Sequence, residues 1–201
     1  MVRLVNLKSK IVNRMAHIDV PQGFPGIRSL AMFRPETGKS LYELAQVLLR
    51  GESPLSEAER ELIAAYVSNR NDTMFCTMSH AAASRHFYGD NKNIVDDVLK
   101  DMPQSGVSDK LKALLHIAGK VQILGKEVTP EDIEEARKQG ANDREIHDTV
   151  LIAATFCMFN RYVDGLASFT PTEPEIYEEM GKRMAKGYKV PNPEGEVSNK
   201  H

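Results

Sequence analysis

Helix punctuation recurs along this 201-residue chain from one end to the other, whereas sustained strand alternation does not. That contrast limits the fold more than any other feature of the sequence. A capping box pairs an N-cap side chain with a carboxylate three residues on, so that two otherwise orphaned N–H groups are satisfied together. Ser56 with Glu59 has this form and predicts a helix through about Asn69. Asn142 with Glu145 repeats it and predicts a long helix through about Leu166. Pro35 and Gly51 bracket a further helix ending at Arg50, with proline in the first turn and glycine as the stop. Asn71, Asp72 and Thr73 offer N-caps for a helix that stops near Gly89. Shorter helices are expected over about 91–101, from Ser108 to Leu124, from Thr129 to Gly140, and from Thr172 onward.

The chain therefore reads as a single all-α domain of eight or so helices, a bundle over residues 27–187. An irregular segment, 1–26, precedes it, where Pro21, Gly23, Pro25 and Gly26 break regular structure. A polar tail, 188–201, follows it and contains Pro191 and Pro193. From Val150 to Phe159 the long helix is apolar on nearly every side, which predicts a central buried helix. The two capping-box helices each lead into a cysteine-bearing stretch, a hint of a duplicated helical unit.

Charge excludes some partners. With 26 basic and 28 acidic residues evenly mixed, no basic footprint for nucleic acid is present. No apolar run reaches the roughly 18 residues of a membrane span, and the N-terminus lacks an apolar signal segment. Two cysteines make no disulfide framework, so a reducing cytoplasm is the expected location.

Chemistry concentrates at Cys76 and His80. Four residues apart on a helix, they share one face, and an imidazole there can take a thiol proton. Cys76 falls in the first turn, where the helix dipole favours the thiolate that attacks peroxides. Glu61, fifteen residues upstream, is returned towards that helix start by an antiparallel hairpin and can orient the imidazole. The competing reading is a buried structural thiol, since free cysteine is among the most buried residue types. No Cys-x2-Cys or His-Glu-x-x-His pattern marks a metal site, so neither metal nor cofactor is expected; a metal held by Glu61, Cys76 and His80 is the alternative.

Glu59 to Ala64, Asn71, Cys76 and the stretch from Ser79 to Ala83 together resemble the alkylhydroperoxidase D-like, carboxymuconolactone decarboxylase-like superfamily, and more narrowly its peroxidase-related branch. Asn160, Arg161, Asp164 and Gly165 resemble that branch's Asn-Arg-x-x-Asp-Gly stretch, and the likeness covers roughly residues 27–185. Redox members of the family carry Glu-x11-Cys-x-x-Cys-x3-His. Glu61, Cys76 and His80 fall on the glutamate, the second cysteine and the histidine, while Thr73 stands where the first cysteine would be. The resemblance implies that Cys76 is the thiol that attacks peroxide and that the resolving thiol is missing. Recycling of a sulfenic acid would then need a small-molecule thiol, a partner protein's thiol or the distant Cys157. Phe75 falls where family members often have histidine or tyrosine beside the reactive cysteine.

The resemblance implies a cofactor-free, homo-oligomeric peroxidase or thiol oxidoreductase acting on a small hydroperoxide, with an external thiol or protein reductant. Cys76 is expected to be its nucleophile, His80 the base and Glu61 the orienting group or proton relay. Thr73, Phe75, Asn160, Arg161 and Asp164 are expected around the substrate pocket. Two other readings stand beside it. One is a decarboxylase-like acid–base enzyme using Glu61, His80 and Arg161. The other is a non-catalytic oligomeric binder of small molecules.

Overall fold

The computed structural model describes residues 16–190. Residues 1–15 of the irregular N-terminal segment and 191–201 of the polar tail, including Pro191 and Pro193, lie outside the described residues. Within them the chain is helical without strands. Its α-helices are α1 (Ile27–Phe33), α2 (Pro35–Arg50), α3 (Glu57–Arg70), α4 (Met74–Tyr88), α5 (Asn93–Asp101), α6 (Asp109–Ile123), α7 (Pro130–Lys138), α8 (Asp143–Gly165) and α9 (Pro174–Ala185).

The caps account for most of these boundaries. Ser56 Oγ accepts from the Glu59 amide at 3.2 Å, and Glu59 Oε2 accepts from the Ser56 amide at 2.8 Å. Asn142 and Glu145 form the same reciprocal pair at 3.0 and 2.8 Å. Ser108 caps α6, and proline occupies the first turn of α2, α7 and α9. Helix α1, which begins at Ile27, has no such signal: its N-cap is Gly26, at φ +57°, and no side chain caps it.

The central helix is α3, not α8. Leu62, Ile63, Ala64, Ala65 and Val67 have no exposed surface, and α3 packs against α4, α6 and α8. The sequence of α3 conceals this, because Arg60, Glu61 and Ser68 sit among the apolar residues. All three are nevertheless buried. Burial is tolerable because most of their polar atoms are bonded, Arg60 Nε being the exception. Arg60 Nη1 donates to the carbonyls of Leu48 and Gly51 at 3.1 and 2.8 Å, and Ser68 Oγ accepts from Asn160 at 3.0 Å. The expectation of a helix buried all round at 150–159 is corrected accordingly. Ile152, Phe156 and Phe159 face the core, but Leu151 is 37% and Met158 44% exposed on the outer face of α8.

Helix α9 lies on α4 at very close range. Gly181 sits over Ala82, and a Cβ at Gly181 would fall 2.7 Å from the Ala82 carbonyl carbon. This contact holds the wall of a cavity against the helix that carries Cys76.

Candidate active site

Glu61 is the hub. Its α3 position has no exposed side-chain surface, yet its carboxylate meets three donors. His80 Nδ1 lies 2.6 Å from Oε2, while Arg50 Nη2 at 2.5 Å and the Tyr188 hydroxyl at 2.6 Å bond Oε1. Burial alone would raise the carboxyl pKa, but the charge and hydrogen bond of His80, then Arg50, then Tyr188, outweigh it and hold Glu61 below its ordinary value. An ionised Glu61 only accepts, so the proton is assigned to Nδ1 of His80. That leaves Nε2 as the nitrogen able to exchange a proton.

Arg50 and Tyr188 have no counterpart in the sequence reading. Arg50 closes α2, also donates to the Met184 carbonyl at 2.9 Å, and has its guanidinium over the rings of Phe87 and Tyr188. Tyr188 falls at the start of what reads as a polar tail. Instead its ring stacks on His80 at 6.2 Å between centroids, and its amide donates to Gln46 Oε1 at 2.7 Å. An aromatic residue just beyond the last helix was the only available signal for it. Its hydroxyl is pushed well above the ordinary tyrosine range, by burial first and then by the Glu61 charge, so it remains a donor.

Cys76 and His80 both line a cavity of about 300 Å³, together with Phe75, Ser79, Phe156, Phe159 and residues of α2 and α9. They are 4% and 8% exposed. The hairpin of α3 and α4 does return Glu61 to the imidazole, and all three predicted catalytic residues come together. The state of the thiol differs from the expectation. Burial pushes its pKa up to about 12; the nearby Asp164 charge adds to this, and the Asn160 side chain opposes it. The helix-start position of Cys76 does not produce a resting thiolate, because desolvation in the packed interior is the larger effect.

The outer set divides. Phe75 lines the cavity, with its ring tilted against Tyr177 at 6.3 Å and pressed on Gly26. Thr73, Asn160 and Asp164 do not line it. They form a polar network between the start of α4 and the end of α8. Thr73 is fully buried and donates to Asp164, while Asn160 accepts from Asn71 at 2.8 Å. Arg161 is outside the pocket: it is exposed and donates to the Cys157 carbonyl of its own helix at 2.9 Å. Cys157 is half-buried, and its sulfur faces the Asn71 amide at 3.7 Å and the Gln122 carbonyl at 4.0 Å. Among the described residues, no three His, Cys, Asp or Glu side chains are grouped to hold a metal ion, and no helix is long and apolar enough to cross a membrane.

This architecture is the alkylhydroperoxidase D-like fold, shared with the following solved structures. An uncharacterized peroxidase-related protein from Silicibacter sp. TM1040 is similar with a TM-score of 0.72 and 24% identity, over 82% of this chain and 95% of that one. An uncharacterized peroxidase-related protein from Ralstonia eutropha JMP134, described as an alkylhydroperoxidase AhpD core, gives 0.72 and 22%, over 84% and 97%. A protein of unknown function from Agrobacterium tumefaciens gives 0.64 and 23%, over 74% and 99%. No protein-family model matches the sequence, and no curated protein matches it.

Proposed function

We propose that this protein is a single-cysteine, cofactor-free peroxidase. The observation that carries the reading is that Cys76 and the Glu61-anchored His80 line one cavity, in a fold shared with proteins described as peroxidase-related. Cys76 rests as the thiol and gives up its proton only with substrate bound. His80 Nε2 accepts that proton, while Glu61, Arg50 and Tyr188 hold the ring in place. The sulfur attacks one peroxide oxygen, the O–O bond breaks, and the proton passes to the departing alkoxide. One hydroperoxide becomes one alcohol, and Cys76 becomes a sulfenic acid. A first external thiol then converts the sulfenic acid to a mixed disulfide with release of water, and a second releases Cys76 and a small disulfide. A reducing cytoplasm would supply such a thiol. The external donor is needed because Thr73 carries no sulfur and Cys157 faces Asn71 and Gln122. A homo-oligomer is part of the same reading, and the exposed Leu151 and Met158 on α8 are apolar surface it would cover.

One observation favours a second reading. A thiol pushed to about 12 beside a well-anchored Glu61–His80 pair suits acid–base chemistry on a small acid, with Cys76 as a passive wall. Hydroperoxide consumption with dithiothreitol as donor separates the two. Under the peroxidase reading Cys76→Ser abolishes turnover, and His80→Ala lowers it by about a hundredfold or more. Unchanged consumption in Cys76→Ser would sink that reading and leave the acid–base one.

A further inference from the structure

The walls of the cavity are not held alike. Helix α9 is pinned to α4 by the Gly181–Ala82 approach, and Phe156 and Phe159 reach the lining from the packed core. The chain directly after α9, from Lys186 to Val190, lines the cavity as well, yet Lys186, Lys189 and Val190 are exposed. The Lys186 and Gly187 amides still bond the helix end, donating to the carbonyls of Arg183 and Met184 at 3.1 and 2.9 Å. Past them, among the described residues, the hydrogen bonds that hold 188–190 all belong to Tyr188. Its amide donates to Gln46 Oε1 at 2.7 Å and its hydroxyl to Glu61 Oε1 at 2.6 Å. Its ring stacks on His80 and carries the Arg50 guanidinium at 5.1 Å.

Gly187 has the properties of a hinge. Its φ of +111° lies in the region that favours glycine, and a Cβ there would come within 3.0 Å of Gln46 Oε1. Cys76 and His80 are only 4% and 8% exposed, so access to them is set by whichever wall moves most easily. Helices α4, α8 and α9 are packed into the bundle, whereas 188–190 hangs on one side chain. We propose that 188–190 is a strap over the cavity, hinged at Gly187 and latched by the Tyr188 hydroxyl on Glu61. Lifted, it admits an occupant to Cys76 and His80. Closed, it returns the third donor to Glu61, covers one face of the imidazole and keeps water from the assembled site. The strap governs access alone, so it rests on neither the peroxidase nor the acid–base reading.

The test is the rate at which N-ethylmaleimide labels Cys76, followed by mass spectrometry in a full-length Cys157→Ser background, with hydrogen exchange of the same proteins. Tyr188→Phe keeps the ring and removes the latch. Gln46→Ala removes the outer tie, from an exposed residue outside the cavity lining. Labelling is expected to rise about tenfold or more in Tyr188→Phe and about fivefold in Gln46→Ala, for loss of a hydrogen bond to a charged and to a neutral acceptor. The amides of 188–190 should exchange at least about tenfold faster than those of α4, and faster again in Tyr188→Phe, with α4 and α9 unchanged. Equal labelling rates in all three proteins would overturn the strap. So would faster exchange of α4 and α9 alongside 188–190, since the substitutions would then have loosened the whole bundle. Faster labelling in Tyr188→Phe alone also overturns it, because that variant alters the surroundings of Glu61 and His80, whereas Gln46→Ala acts on the strap. Neither readout involves hydroperoxide, so failure of the peroxidase reading leaves the result as it stands.

Discussion

Cys76 and Glu61 show how little a residue's chemistry follows from its type. A carboxylate with no exposed surface stays ionised here because an imidazole, a guanidinium and a phenol converge on it. A cysteine at a helix start, by contrast, stays protonated because burial disfavours the thiolate more than the Asn160 side chain supports it. The neutral thiol is the favoured form up to a pKa of about 12, so no thiolate should form near the ordinary value of roughly 8.5. In a Cys157→Ser background, the ultraviolet thiolate absorbance of Cys76 is expected to appear only towards the top of the alkaline range. A signal at neutral pH would mean that Asn160, rather than burial, governs the sulfur. The spacing of Glu61, Cys76 and His80 was legible because it is local to one hairpin. Arg50 and Tyr188 were not, since each reaches Glu61 only after α2 and the segment beyond α9 have docked.

Among the elements, the α4–α9 contact has the least room to adjust. Gly181 permits it, since any side chain there meets the backbone of Ala82. Gly181→Ala forces the two helices apart and is expected to cost about 1–3 kcal/mol, read as a lower urea midpoint with an unchanged slope. Stability equal to that of the unsubstituted protein would show that α9 sits less tightly on α4 than the Gly181–Ala82 approach indicates. Helix ends were readable from Ser56, Ser108 and Asn142 because caps act within a few residues. Helix environment was not. The run at 150–159 reads as more thoroughly apolar than α3, yet α3 is the enclosed helix, because its neighbours cover every face while α8 leaves Leu151 and Met158 outward.

For the whole molecule, Glu61 is a tie between α2, α3, α4 and the segment after α9. Glu61→Gln leaves the buried Arg50 guanidinium, among the described residues, with only the longer 3.6 Å ion pair to Glu57 and is expected to destabilise the fold by about 3 kcal/mol at neutral pH. The same group sets an acid dependence. Its pKa is lowered by folding, so its stabilisation is fully present above the unfolded value near 4.5 and is lost as pH falls through the lower folded value. Denaturant titrations at neutral pH and below about 4.5 should show this loss in the unsubstituted protein and a flatter response in Glu61→Gln. Parallel acid profiles for the two would refute the assignment.

The sequence by itself determined the helical class, most helix boundaries and the Glu61–Cys76–His80 register, because caps, breakers and helical spacing act over a few residues of chain. Tertiary structure alone decided which helix is central, that Arg50 and Tyr188 complete the site, and that Cys76 rests as a thiol. Those outcomes depend on burial and charge pairing between segments far apart in the chain, and no short-range pattern encodes desolvation.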